Sequence, residues 1–239
     1  MLTPSKRRGE ELLDDPAVDG GLALRSLRDV ALANLFFGGR LVVLRAFGPL
    51  FEEWSRAPQS TPRTLLDLGT GLGDIPAAVV RAAHRRGIAM RALGLERTPL
   101  LARTAGAQCH AALVGDAMQL PLADASVDVV MCSQVLHHFD GAPADQLLRE
   151  CTRVARHAVI VADLRRSWLA VGGLWSGSFL LGFHPVSRHD GMLSVLRGYT
   201  ASELGTLVRR ATGCTPLVRA SLGFRLSATW RPPHSPRPA

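Results

Sequence analysis

The stretch LLDLGTGLGD, Leu65 to Asp74, places Gly69, Gly71 and Gly73 between two acids, Asp67 and Asp74. An apolar, strand-like run leads into it, and the helix-like IPAAVVRAAHRR leaves it. A glycine-rich turn of this kind lets a ligand approach bare backbone amides at a helix start. The dinucleotide fingerprint G-x-G-x-x-G would need glycine where Asp74 stands. A carboxylate on the first helical turn repels a pyrophosphate and suits a ligand that is cationic and free of phosphate.

S-adenosylmethionine is such a ligand, with a sulfonium, an ammonium and a phosphate-free adenosine. Further acids fit it. Glu96 closes the strand-like RALGLE, 29 residues after Asp67, where a carboxylate accepts from a ribose diol. Asp116, in LVGDAMQLPLADASVDVV, follows a third strand-like run and can accept from an adenine amino group. The next strand ends in CSQVLHHF, which brings Ser133, Gln134, His137 and His138 to the edge where open α/β sheets bind ligands.

These pieces, in this order and spacing over about residues 62–165, resemble a class I S-adenosylmethionine-dependent methyltransferase of the bacterial small-molecule type. The later HDGMLSVLRGYTASEL is similar to the C-terminal portion of some bacterial members. The resemblance implies an α/β, Rossmann-like, seven-stranded and mostly parallel sheet with helices on both faces, the last strand antiparallel, and an N-terminal helical cap. It implies that Gly69, Thr70, Gly71 and Gly73 pack against the methionine part of the cofactor, with Asp67 on its amino group and Asp74 beside the loop. Glu96, with Arg97 next to it, takes the ribose. Asp116, Ala117 and Met118 bracket the adenine, and Ser133 and Gln134 line the floor near the methyl group. His137 and His138 are the catalytic candidates. His137 lies about one helical turn from Ser133, which predicts a neutral imidazole facing the pocket as general base, with His138 turned toward the core or the next helix.

The elements that must hold these residues alternate. Strand-like runs at 64–68, 90–95, 110–114, 127–132 and 158–162 enclose helix-like runs at 75–86, 98–105 and 142–154, the pattern of a parallel sheet covered on both faces. Thr200 and Glu203 have capping-box spacing for a helix ending at Gly213, and the runs 216–221 and 224–230 meet at Gly223 as a closing hairpin. Helical spacing over Leu22–Phe51 breaks at Gly38 and Gly39. Residues 1–56 are therefore read as a cap and 57–230 as the cofactor domain, with 168–195 a lid or substrate insertion and 231–239 a disordered tail. Residues 1–20 are read as loose, and SRHDG, with His189 and Asp190, as a solvated loop.

Trp168 to Phe183 is 16 uncharged residues, shorter than the roughly 20 of a membrane span, and carries four glycines. It reads as a lid helix, with interfacial membrane contact the second reading. With Phe36, Phe37, Trp168, Trp175, Phe179 and Phe183 it predicts a pocket for an aromatic or lipid-like small molecule. The net charge of +8 comes from scattered arginines with a single lysine, Lys6, which suggests a GC-rich bacterial genome; no nucleic-acid partner is expected. The four cysteines form no CxxC pair and the histidines show no ligand spacing, so no metal is expected and a cytoplasmic location is. O-methylation of a phenol or enol is the expected chemistry. Carbon methylation of a quinone or polyketide ring is the alternative within the class, and an NAD-dependent oxidoreductase or a non-catalytic cofactor-binding protein are the alternatives outside it.

Overall fold

The computed structural model describes residues 3–14, 18–56 and 59–235. Parts of three expectations fall outside the described residues: 1–2 and 15–17 of the loose start, 57–58 at the start of the cofactor domain, and 236–239 of the tail.

Two helices, α1 (Gly20–Phe36) and α2 (Gly39–Ser55), precede β1 (Arg63–Leu68), α3 (Asp74–His84), β2 (Met90–Glu96), α4 (Pro99–Gly106), β3 (Ala111–Val114) and β4 (Val127–Ser133). Then come α5 (Gly141–Val154), β5 (Ala155–Leu164), α6 (Trp168–Leu180), α7 (Pro185–Arg197), α8 (Ala201–Thr212), β6 (Leu217–Ser221) and β7 (Arg225–Trp230). The strands form one sheet in the order β3-β2-β1-β4-β5-β7-β6. The body is parallel, and β7 runs antiparallel between β5 and β6. The capping box of α8 is present, with Gly213 left-handed after it.

Both sheet faces are buried, which is why the central strands are nearly all apolar. On β1, Leu66 and Leu68 join α5 and α8 in one core, while Leu65 joins α2 and α3 in the other. The N-terminal segment therefore divides. The buried Phe47, Phe51 and Trp54 of α2 share a core with the sheet, and only α1 lies over the glycine loop.

Three segments differ from the sequence expectation. SRHDG is helical, inside α7, where Pro185 at the first turn and the His184 cap set the start. Asp190 is buried there, and His189 points outward. Residues 3–14 dock as a strap along α7. The amides of Leu12 and Leu13 donate to Asp190 (3.0 Å each), Arg7 N donates to Leu196 O, and Arg166 Nε donates to Pro4 O. The start of the tail is seated as well, through Arg231 on Glu53 and His234 on the carbonyl of Ala155. Among the described residues no single helix is long and apolar enough to cross a membrane.

Candidate active site

The carboxyl ends of the strands set the acids in a row. Strand order brings Asp116 beyond β3, Glu96 at the end of β2, Asp67 near the end of β1 and Ser133 at the end of β4 side by side. Between β1 and α3 the loop is left-handed at Gly69 and Gly73. A side chain at Gly69 would strike Val135 (2.5 Å), and one at Gly73 would strike Gln108 (2.8 Å), so both positions need glycine. The amide of Gly71 donates to Glu96, which ties the loop to β2.

Asp67 is buried. One of its oxygens accepts from Thr70 Oγ1 (2.7 Å), and the other has no partner. Burial, joined by the charges of Glu96 and Asp74, pushes its pKa up to about 8 against the Thr70 hydrogen bond. Burial also raises Asp74, with Asn34 and Arg40 opposing, and leaves its Oδ2 without a partner. Asn34, from α1, thus links Asp74 to Gln134, whose Nε2 donates to Asn34 Oδ1. Arg225 holds the other end of the Gln134 amide (2.8 Å).

These groups open onto a cavity of about 410 Å³. Away from the loop its walls are apolar, with Leu27, Val30, Leu174, Phe183, Val195 and Phe224 among them. One pole is polar. The turn after β4 carries His137, whose Nδ1 lies 2.6 Å from Asp163 Oδ1 on β5 and whose amide donates to Asp163 Oδ2 (3.0 Å). Its Nε2 faces Glu11 on the strap at 3.6 Å, and His138 Nε2 lies 4.0 Å from the other Glu11 oxygen. Ser194 donates to Glu11 (2.7 Å), and Arg197 donates to the carbonyls of both histidines. Burial works against a charged His137, but Asp163 and then Glu11 outweigh it and push the pKa up to about 9. The histidine pulls both carboxylates below their usual range in return, against their burial.

Residues 66–162 match the model of a family described as a methyltransferase domain. A malonyl-[acyl-carrier protein] O-methyltransferase from Methylococcus capsulatus is 33% identical over 124 residues, 47% of this chain and 44% of that protein. Residues 66–162 are thus similar to a methyltransferase domain. The chain spans less than half the length of that relative. Among solved structures, an S-adenosylmethionine-dependent methyltransferase from Aquifex aeolicus superposes with a TM-score of 0.58 at 15% identity, over 90% of this chain and 99% of that one. Human N-acetylserotonin methyltransferase, solved with the cofactor, gives 0.62 at 17% identity, over 89% of this chain and 56% of that one.

S-adenosylmethionine is the cofactor named for both of those solved structures. The cradle fits it: the unpartnered oxygens of Asp67 and Asp74 are buried acceptors that an ammonium group would satisfy. Of the residues singled out from sequence, Asp67, Gly69, Thr70, Gly71, Asp74, Ser133, Gln134, His137 and His138 line the one cavity. Gly73 lies in the loop as the cap of α3, Glu96 holds the loop through the Gly71 amide, and the Arg97 backbone hydrogen-bonds Glu96. Asp116 is exposed and accepts from the amide of Met118 (2.9 Å), closing its own turn, with Ala117 and Met118 packed on the core.

Three sequence expectations are corrected here. His137 lies between two carboxylates that raise its pKa against its burial, which favours its charged form over the neutral base expected near pH 7. His138 does not turn to the core; both histidines reach the cavity, with ring centroids 4.3 Å apart. Phe37 and Phe183 line the cavity, whereas Phe36, Trp168, Trp175 and Phe179 are at least half exposed. Sequence reasoning missed Glu11, Asn34 and Asp163. Asp163 alone left a signal, as an acid closing an otherwise apolar strand.

Proposed function

We propose that the protein transfers a methyl group to the oxygen of a small apolar acceptor, a phenol or an enol. The supporting observation is the polar pole of Glu11, His137 and His138 in the same cavity as the apolar side chains of Leu27, Val30, Leu174, Phe183 and Phe224, beside the glycine loop. The O-methyltransferase among the relatives points the same way. When bound, S-adenosylmethionine supplies the methyl electrophile, its C–S bond breaking with the electron pair left on sulfur. Asp67 and Asp74 hold its ammonium end, Glu96 the ribose, Asp116 with Ala117 and Met118 the adenine end, and Ser133 and Gln134 the floor beneath the reacting carbon. The apolar walls orient the acceptor and exclude water, which supplies proximity. Positive charge at His137 favours the oxyanion form of the acceptor. His138, with a quarter of its side chain exposed, gives the hydroxyl proton a way out to water.

Incubation with methyl-labelled S-adenosylmethionine and a panel of apolar phenols and enols tests this. Label is expected on oxygen by mass spectrometry. His137→Ala should lower turnover by about 10²–10⁴-fold while S-adenosylhomocysteine affinity stays unchanged. Label found only on carbon, or undiminished turnover in the variant, would overturn the proposal.

A further inference from the structure

We propose that Glu11, His137 and His138 hold one divalent transition-metal cation, with an open coordination position toward the acceptor; the second half of that statement rests on the function proposed above. One ligand atom from each residue lies within 4.8 Å of the other two. His137 Nε2 lies 3.6 Å from Glu11 Oε1, and His138 Nε2 lies 4.0 Å from Glu11 Oε2. Tetrahedral zinc, with bonds of about 2.0–2.2 Å, sets its ligand atoms about 3.3–3.6 Å apart. Side-chain shifts on the order of an ångström would bring one atom from each residue to that spacing.

The orientation of His137 is an independent observation. The ring is buried, and its Nε2 makes no hydrogen bond, an uncommon state for a buried polar atom. Its Nδ1 is committed to Asp163 at 2.6 Å. A carboxylate on one ring nitrogen keeps its proton there, as in carboxylate–histidine–metal triads, so a divalent cation that displaces the Nε2 proton to solvent would take the Nε2 lone pair on the side of Glu11 and take over the positive charge of the ring.

Charge and chemistry agree. Asp163 and Glu11 bring two buried carboxylates to one imidazole, and a cation satisfies both. Ser194 and Arg197 fix Glu11 from behind, and Arg197 also clamps the backbone of the two histidines, so the donors are held by the folded chain. Two imidazoles and one carboxylate favour zinc, iron(II), cobalt(II) or nickel(II) over magnesium or calcium. Three protein ligands leave a fourth position, on the cavity side, for an acceptor hydroxyl. A Lewis acid there lowers the hydroxyl pKa, and the proton is released to solvent before the oxygen attacks the methyl carbon.

The full chain, stripped with a chelator and dialysed, would be titrated with zinc chloride and cobalt chloride by calorimetry and visible absorption. One equivalent is expected to bind at micromolar or tighter affinity, with cobalt giving the d–d bands of a low-coordinate site. Glu11→Gln and His138→Ala should each weaken binding at least tenfold, and Asp163→Asn by about 10–100-fold. S-adenosylhomocysteine affinity, measured on the same samples, reports that each variant is folded. No stoichiometric metal binding to the wild type, or binding that survives both Glu11→Gln and His138→Ala, overturns the metal site. If S-adenosylhomocysteine still binds in that case, the methyltransferase reading stands, and the metal site alone falls.

Discussion

Strands β4 and β1 each carry one buried acid, Asp128 near the amino end of β4 and Asp67 near the carboxyl end of β1, and the two ends of the sheet treat them in opposite ways. At the amino end, Asp128 accepts from the amide and hydroxyl of Thr64 (2.8 and 2.9 Å) and faces His157 at 3.3 Å, Arg156 at 3.4 Å and Arg63 at 3.5 Å. Burial alone would raise its pKa, yet His157, Thr64 and Arg63 hold it well below the usual carboxylate range. At the carboxyl end, Asp67 is as buried but has, among the described residues, one hydroxyl partner and no cation, and its pKa is raised. Burial therefore does not distinguish a structural acid from a ligand-binding one; the set of partners does. An acid satisfied within the chain serves the fold, and one left unsatisfied is held ready for a molecule that is not part of it.

The largest expected effect is at the structural end. Asp128→Ala removes two hydrogen bonds to a charged acceptor and should cost about 3 kcal/mol of stability by denaturant unfolding. Its pH dependence has a defined sign. The folded-state pKa is depressed, so this contribution is present above the ordinary carboxylate value and is lost as pH falls below it. A wild-type acid-unfolding profile that Asp128→Ala leaves unshifted would contradict that assignment.

Asp67→Asn should act the other way. Stability of the ligand-free chain should hold or rise, while S-adenosylhomocysteine affinity falls at least tenfold, about 1.4 kcal/mol. Because the folded pKa is raised to about 8, the carboxyl gains a proton on folding, and its contribution to stability diminishes as pH rises toward 8. Binding of an ammonium needs the carboxylate, so calorimetry should show affinity increasing with pH up to about 8, with that slope absent in the variant. A variant with wild-type affinity and slope would mean that Asp67 belongs with Asp128 as a structural acid.

The smallest effect sharpens the comparison. Asn34→Ala takes away the neutral partner that Asp74 has from α1. Cofactor affinity should drop about threefold, on the scale of one ordinary hydrogen bond. Equilibrium dialysis showing no change would separate α1 from the cofactor end altogether.

What the sequence makes legible follows from how local the signal is. The strands and helices of the sheet are read from periodicities within ten or so residues, and the glycine loop with Asp67, Asp74 and Glu96 from spacing along one repeating β-α pattern. Glu11 has no such signal. It sits in a charged stretch without periodicity, and its partner Ser194 is 183 residues away. Helix α7 hides for a related reason. It buries Ser187, Asp190, Ser194 and Arg197 against the strap and the histidine turn, so its inward face is polar and mimics a loop. Asn34 lies on an amphipathic helix where a lone amide looks like surface. The charge state of His137 depends on Asp163 and Glu11 converging from two other parts of the chain.

The docked strap makes Glu11 a tethered ligand of its own pocket. Its carboxylate is held at the pole by Ser194 and Arg197, so the fold, and no binding from solution, sets its concentration there. The acceptor end of the cavity is thus finished by a segment far along the chain from the sheet, while the glycine loop that opens the other end belongs to the sheet itself.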